Sequence, residues 1–206
     1  MFGRRFVRFF VLAAVLAGSL FGAAAPSASN DLAAARMELT HLLERYGDKH
    51  PKVIDQQQRI SELERLSRTA PDEPPVLRTA RVDLAVMLTH YAENHPKLRA
   101  QVARVQSMEQ QVKADPATPP ELLAARAELA ATELRYGEKN PRTIAARTHA
   151  QVLEKYLLAP GSDSRELRLA RAEQAELTER YGMAHPKVKA AADRIAALEQ
   201  LGAAAP

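Results

Sequence analysis

The chain repeats itself every 45 residues, four times over, and this repeat constrains its fold more than any other feature. A fixed period of this length is typical of proteins built from a row of similar structural units. Six positions hold the same residue in every copy: Leu32, Leu77, Leu122 and Leu167; Ala35, Ala80, Ala125 and Ala170; Arg36, Arg81, Arg126 and Arg171; Tyr46, Tyr91, Tyr136 and Tyr181; Pro51, Pro96, Pro141 and Pro186; Glu64, Glu109, Glu154 and Glu199. We therefore expect four units with one common structure, each supported by its neighbours.

Each copy shows the pattern of two helices. In its first half, apolar residues recur at alternating steps of three and four, as a helix packed lengthwise on another requires. The first two copies show this pattern with Leu32, Ala35, Leu39, Leu42 and Tyr46, and with Leu77, Ala80, Leu84, Met87 and Tyr91. The second half of copy one carries a similar series in Val53, Ile60 and Leu63. In copy three, Thr132 and Thr143 occupy such positions and weaken the pattern.

A short Tyr-Gly-x-x-His-Pro segment separates the two predicted helices. Its glycine, at positions 47, 137 and 182, falls where a helix ends and a left-handed residue is favoured. Ala92 replaces this glycine in copy two, which predicts a modest strain there. The proline suits the first position of the following helix, where its missing N–H costs nothing. Because the connection is short, the two helices must run antiparallel.

The residue before each proline is placed to cap the second helix. Asn140 is a good N-cap, and we expect the histidines at the same point of the other copies to serve this position. The alternative for these histidines is a pH-sensitive turn, since His titrates near neutrality. The repeat positions of the turn are Tyr46, His50, Pro51, Tyr91, His95, Pro96, Tyr136, Asn140, Pro141, Tyr181, His185 and Pro186.

Proline-rich breaks join one copy to the next, at residues 71–75, 116–120 and 160. The predicted fold class is therefore all-α, with four tandem antiparallel helical hairpins (eight helices) that form a short α-solenoid or a bundle. The hairpin repeats are expected to span residues 29–71, 72–116, 117–160 and 161–203. Beyond residue 26 the chain has no Phe, Trp or Cys, so slim Leu and Ala seams suit it better than a thick aromatic core.

Residues 1–28 have the three parts of a secretory signal peptide. Arg4, Arg5 and Arg8 precede an apolar run from Phe9 to Phe21, and small residues follow. The alternative is an uncleaved membrane anchor, because the 17 residues 9–25 reach the lower limit of a membrane span. Both readings predict that the rest of the chain is exported and is periplasmic or secreted.

The excess of positive charge is concentrated in this leader. Lys and Arg number 29 against 25 Asp and Glu in the whole chain, and the leader accounts for three of the arginines. The remainder is almost neutral, so the composition offers no basic patch for phosphates. It predicts no nucleic-acid partner.

The residue types that carry chemistry do not converge in this sequence. The histidines fall in separate units or straddle a predicted turn, and cysteine is absent, so we expect no metal site. No serine elbow, glycine-rich loop or nucleotide fingerprint occurs, so we expect no catalytic residue, no cofactor and no enzyme activity. For each tyrosine we expect a seam residue whose hydroxyl reaches a polar group of the turn. Sugar stacking or partner binding is the alternative.

Two charged positions flank the predicted seams in every copy. Counted from the turn, they lie on opposite arms of the hairpin at heights that differ by about 5 Å, within reach of an arginine. We predict an Arg–Glu bridge within or between hairpins that fixes register, with solvated charges as the alternative. The positions are Arg36, Glu64, Arg81, Glu109, Arg126, Glu154, Arg171 and Glu199.

The pattern Leu-x-x-Ala-Arg-x-Glu-Leu … Arg-Tyr-Gly-Asp-Lys-His-Pro-Lys-Val … Ile-Ser-Glu-Leu-Glu, over residues 32–64, resembles the periplasmic coiled-coil segment of chain-length determinant proteins. These are also called exopolysaccharide transport or polysaccharide co-polymerase proteins. The resemblance implies a helical hairpin, a place in the cell envelope and a link to polysaccharide export. The Gly-x-x-x-x-Gly-Lys phosphate loop of its kinase members is absent. A second, weaker similarity is to kinesin-light-chain-type tetratricopeptide repeats, which carry Gly-x-x-His-Pro at a comparable point.

The sequence therefore predicts a protein that acts by contact. The first hypothesis is an exported, non-enzymatic scaffold of the cell envelope, associated with polysaccharide export, whose partners are other envelope proteins or further copies of itself. The alternative is a tetratricopeptide-like periplasmic adaptor that binds a peptide or partner helix in a groove. Membrane attachment through residues 9–25 is expected if the signal is not cleaved.

Overall fold

The computed structural model describes residues 28–161 and 163–203. Within these ranges the chain forms eight α-helices and no strand, which confirms the predicted all-α fold. The helices are α1 (Ala28–Tyr46), α2 (Pro51–Thr69), α3 (Pro75–His90), α4 (Pro96–Ala114), α5 (Pro120–Tyr136), α6 (Pro141–Leu157), α7 (Arg165–Tyr181) and α8 (Pro186–Ala203). Of these described helices, none combines the length and the apolar character needed to cross a membrane. The leader predicted over residues 1–28 lies, except for residue 28, outside the described residues.

The helices form four hairpins in a row: α1 with α2, α3 with α4, α5 with α6 and α7 with α8. Each helix packs against the next helix along the chain, both within a hairpin and between successive hairpins. Among the described residues, the further contact between α3 and α5 is small, and no substantial contact joins the first hairpin to the last. A closed bundle needs such contacts, so the hairpins form an open linear stack, as in a solenoid.

The seam inside each hairpin uses the repeated Leu and Ala positions. Leu77, Leu122 and Leu167 are buried, as are the alanines three residues after them. The opposite helix supplies residues such as Val105 and Ile195. The alanines leave little space between the two backbones, so the arms of each hairpin approach closely.

A second seam joins each hairpin to the one before it. Val82, Ala127 and Ala172 recur 45 residues apart and are buried against the second helix of the preceding unit. Val82, for example, packs with Leu66, which is fully buried. Met37 occupies the same position in unit 1 and is 64% exposed, because no described unit precedes it. The first helix of each later unit is therefore apolar on two sides.

The polar residues on the seam of unit 3 are satisfied inside the protein. Thr143 is fully buried, and its hydroxyl donates to the main-chain carbonyl of Thr132 at 3.3 Å. The hydroxyl of Thr132 donates in turn to carbonyls of its own helix, at Glu128 and Leu129. Because these groups have partners, two threonines replace apolar residues without leaving a buried polar group unpaired.

The turns end their first helices in two different ways. Gly137 and Gly182 have φ near 80° and ψ near 160°, a combination that glycine alone adopts readily and that differs from the predicted left-handed helical one. The predicted strain at Ala92 is wrong, because no described residue other than glycine has a positive φ. In unit 2 the helix instead ends one residue earlier, at His90, and Tyr91 is extended.

These glycines are needed for their backbone conformation and not for space, since an added Cβ would meet no atom within 4 Å. We therefore expect Gly137→Ala to lower the free energy of unfolding by about 1–3 kcal/mol. Urea denaturation followed by circular dichroism measures this. The matched control is Ala92→Gly, at the same turn position with a negative φ, which should change stability much less. Equal effects from the two substitutions would contradict this account.

Candidate functional site

The predicted Arg–Glu bridges form in all four units, and each lies within one hairpin. The guanidinium of the first helix donates to the carboxylate of the second at 2.7 Å in unit 1 and 2.8 Å in the other three units. The pairs are Arg36–Glu64, Arg81–Glu109, Arg126–Glu154 and Arg171–Glu199. They are partly exposed, so each adds little to the stability of the fold, and their main effect is to set the register of the two arms.

Two of these arginines also bind a carboxylate from the preceding connector. Arg81 contacts Glu73 at 3.0 Å, and Arg171 contacts Asp163. Arg78, which is buried, donates to the carbonyl of Glu73 and to the carboxylate of Asp31, both at 2.9 Å. The connector between units 1 and 2 is therefore fixed by ionic contacts in addition to its prolines.

The carboxylate of Glu73 lies in an unusual environment. Its side chain is 6% exposed, and its Oε2 is buried without a hydrogen-bond partner among the described residues. Burial raises the pKa of this carboxyl above its ordinary value, although the nearby charges of Arg81 and Arg78 act in the opposite direction. The folded protein consequently holds the Glu73 proton up to a higher pH than the unfolded chain does.

A second set of ion pairs joins neighbouring hairpins. Arg59 of unit 1 donates to Asp83 of unit 2 at 3.0 Å, and Arg104 makes the equivalent contact with Glu128. In unit 3 this position is His149, which pairs with Glu176 one turn further along α7. Arg194, the equivalent residue of unit 4, instead donates to Glu173 of its own unit at 3.2 Å. Residues at this repeat position therefore contribute an ion pair to each of the three junctions between hairpins.

The turns confirm the predicted caps. The prolines Pro51, Pro96, Pro141 and Pro186 begin the second helices. Ahead of them, Nδ1 of His50, His95 and His185 accepts from the main-chain N–H two residues later at 3.2 Å, and Oδ1 of Asn140 does so at 2.9 Å. A doubly protonated imidazole has no acceptor nitrogen, so this cap requires the neutral ring.

The tyrosines stack on these histidines. The ring centroids of Tyr46–His50, Tyr91–His95 and Tyr181–His185 lie 4.2–4.5 Å apart. In unit 3, where Asn140 replaces His, Tyr136 instead accepts from Arg142 at 2.8 Å. The predicted hydroxyl contact is therefore seen there, while a ring contact takes its place in the three units with a histidine.

The other histidines do not assemble a metal site. His90 contacts Asp55 across the junction of units 1 and 2, and His41 lies near Glu44 on α1. Across residues 28–161 and 163–203, no three His, Asp or Glu side chains come close enough to hold a metal ion.

A groove of about 930 Å³ crosses units 2, 3 and 4 and is lined by residues of α3 to α8. Its apolar lining combines half-buried side chains of the first helices, such as Val76, Ala124 and Leu169, with the buried Met108 and Leu153 of the second helices. Long apolar grooves of this kind accept a segment of another chain.

The polar lining of the groove is predominantly acidic. Five carboxylates belong to it and only two arginines, Arg104 and Arg194, together with His149. The carboxylates are Asp83, Glu121, Glu128, Glu173 and Glu176. Because the junction ion pairs run through this lining, the contacts that join the units also determine its charge.

Sequence patterns identified the turns and the bridges but did not identify the groove. Besides seam residues, its lining uses positions 79, 124 and 169 and positions 83, 128 and 173, which lie outside the predicted seam. Gln101 was also missed. It is buried and donates to the carbonyl of Ala80 at 2.8 Å, and Gln56 makes the equivalent bond to Ala35. Their shared 45-residue spacing was the available signal.

Comparison of the chain with protein-family models, with curated proteins and with solved structures finds no match.

The histidine cap can be tested at His95. We expect His95→Ala to lower the free energy of unfolding by about 1 kcal/mol, because the first turn of α4 loses its side-chain acceptor. His95→Asn should retain most of the stability, since Asn140 caps the equivalent helix. Urea denaturation at pH 7.5 measures both. An asparagine variant as unstable as the alanine variant would show that stacking on Tyr91, and not capping, is what the histidine provides.

The buried carboxyl of Glu73 predicts a pH dependence of stability. Its raised pKa means that its ionised form is disfavoured in the folded state, and this cost disappears as the pH falls through the folded-state pKa. The stability gain of Glu73→Gln over the natural chain should therefore be largest near pH 7 and shrink as the pH falls towards 4.5. Denaturation across this range checks it, with Glu109→Gln, the other carboxylate on Arg81, as control. If the stability gain of both variants depended on pH in the same way, the pH dependence would come from Arg81 and not from the buried carboxyl of Glu73.

Proposed function

We propose that this chain is a non-enzymatic adaptor that binds a segment of a partner protein in the groove across units 2–4. The observation that carries the proposal is the groove itself, whose apolar floor runs over three successive hairpins. An open stack of hairpins supports such a role, because each unit adds a similar strip to one continuous surface. A self-associating rod would not need a groove of this kind.

The lining indicates what kind of segment fits. Each of the five carboxylates pairs with an arginine or a histidine of this chain, and an occupant that carries Lys or Arg can take the place of that cation, while the floor favours apolar side chains between the basic residues. A basic segment would compete for carboxylates that now pair with Arg104 and Arg194. The proposed occupant is therefore a segment that alternates apolar with basic residues.

The predicted leader supports an envelope setting for this adaptor, and the resemblance to chain-length determinant proteins supports polysaccharide export as the system in which the partner acts. The envelope location and the link to polysaccharide export are both part of what we propose. Export through a signal at residues 1–28 would expose the groove to proteins of that compartment.

Site-specific photocrosslinking in envelope extracts tests the proposal. A crosslinker at Ala124, on the floor of the groove, should capture a partner segment rich in apolar and basic residues, identified by mass spectrometry. Thr79→Trp should reduce this capture at least ten-fold, because Thr79 is an exposed lining residue and an indole would fill the space.

The matched control is Ala34→Trp, which occupies the same repeat position in unit 1 outside the groove lining. This variant should leave the capture unchanged. Equal loss in the two tryptophan variants, or a captured segment that is acidic, would refute binding in the groove.

A further inference from the structure

The four turns lie together at one edge of the stack. Successive helices run antiparallel and pack side by side, so every connection within a hairpin lies at one end of the helices and every connection between hairpins lies at the other. We define the turn edge as residues 45–52, 90–97, 135–142 and 180–187. The connector edge comprises residues 68–75, 113–120, 158–161 and 163–165.

Positive charge is concentrated at the turn edge. It carries nine Lys or Arg against three Asp or Glu, whereas the connector edge carries three against four. The composition of the chain beyond its leader is almost neutral, and the expectation that it has no basic patch is wrong for this edge. Folding gathers basic residues that are 45 residues apart in the sequence, which an average over the chain conceals.

The placement of these cations opposes local helix stability. The second helix of every hairpin has a cation at its second residue, at Lys52, Lys97, Arg142 and Lys187, and no acidic residue in its first turn. The partial positive charge of a helix N-terminus favours an acidic residue there. The first helices α1, α5 and α7 do have one. A cation at this position is locally unfavourable and yet occurs in all four units, which points to a function for these charges.

The aromatic rings of the turn edge are already occupied by their own turns. The cations at 52, 97, 142 and 187 lie 5.2–5.7 Å from the centroid of the neighbouring tyrosine. The rings of Tyr46, Tyr91 and Tyr181 also stack on a histidine. The turn edge therefore offers cations to a partner, whereas its tyrosine rings are already in contact with neighbouring side chains. This arrangement favours contact with anionic groups over stacking of sugars or bases on the rings.

Exposed apolar side chains accompany the charges. Ten large apolar residues are exposed among those described, and seven of them lie within six residues of the centre of a turn. Met183, at the tip of the last turn, is 81% exposed. The seven are Leu43, Ile54, Leu88, Leu134, Ile144, Met183 and Tyr181, of which Tyr181 also stacks on His185 with one face of its ring. Cations beside exposed apolar side chains are what an interface with an anionic bilayer requires.

We propose that the turn edge binds the surface of a membrane that contains anionic phospholipids. The lysines and arginines contact the headgroups, and the apolar residues beside them insert at the level of the acyl-chain boundary. A soluble polyanion would use the charges but not the apolar side chains, and for that reason the bilayer is the better fit. This proposal is independent of the groove, because no residue of the defined turn edge lines it.

Vesicle binding of the full chain tests the proposal. We expect co-sedimentation with vesicles of equal parts phosphatidylglycerol and phosphatidylcholine, weakened by salt, and little with phosphatidylcholine alone. The variant Lys52→Glu, Lys97→Glu, Arg142→Glu should bind at least ten-fold less while its circular dichroism spectrum stays helical, since the new charges suit the helix N-termini although the contacts of these cations with the tyrosines are lost.

The matched control is Arg68→Glu, Lys113→Glu, Lys155→Glu, which reverses three cations at the opposite ends of the same three helices. It should bind vesicles like the natural chain. Equal loss in both variants would overturn the proposal, as would tighter binding to soluble polyglutamate than to vesicles, which would assign the edge to an acidic polymer.

A local probe separates this edge from any contribution of residues 1–27. The chain contains no cysteine, so Met183→Cys and Leu158→Cys each introduce one labelling site, at the turn edge and the connector edge. An environment-sensitive dye at position 183 should shift to shorter wavelength on addition of the anionic vesicles, and a dye at 158 should not. No shift at 183, or equal shifts at both positions, would overturn the proposal.

Discussion

The rest of this structure depends on one interaction, the close packing of the first helix of units 2, 3 and 4 against a neighbouring helix on each of two sides. Ala80, Ala125 and Ala170 bring the arms of one hairpin together, while Val82, Ala127 and Ala172 bring that hairpin against the one before it. Because phenylalanine and tryptophan are absent beyond residue 26 and cannot fill wider gaps, small side chains keep the backbones near enough for thin seams to exclude water. The turns, bridges and groove are all positioned by helices held in this way.

The charged contacts are organised by the same repeat and act at two levels. Arg36 and Glu64 with their equivalents connect the arms of a hairpin, and Arg59 and Asp83 with theirs connect one hairpin to the next. Exposed pairs of this kind add little free energy individually. Their repetition disfavours slipped registers, in which several pairs would be lost together.

Most of the fold could be predicted from the sequence, because every unit repeats the same local signals. Proline at position 51 and glycine at position 47 mark the ends of helices, and the spacing of the seam residues requires helical arms. The distance of Arg36 and Glu64 from the turn also predicted their bridge. Less could be predicted of the surfaces that arise between units. The groove and the basic edge depend on residues from different copies, and their proximity follows from how the hairpins stack.

The linear order of contacts has a mechanical consequence. Because each hairpin rests mainly on its immediate neighbours, a slight rotation at one junction is not opposed by contacts with distant hairpins. Small rotations at the three junctions add along the row, and the ends can travel far while every seam stays closed. We therefore expect the overall curvature of the row to adapt to the surface that it contacts.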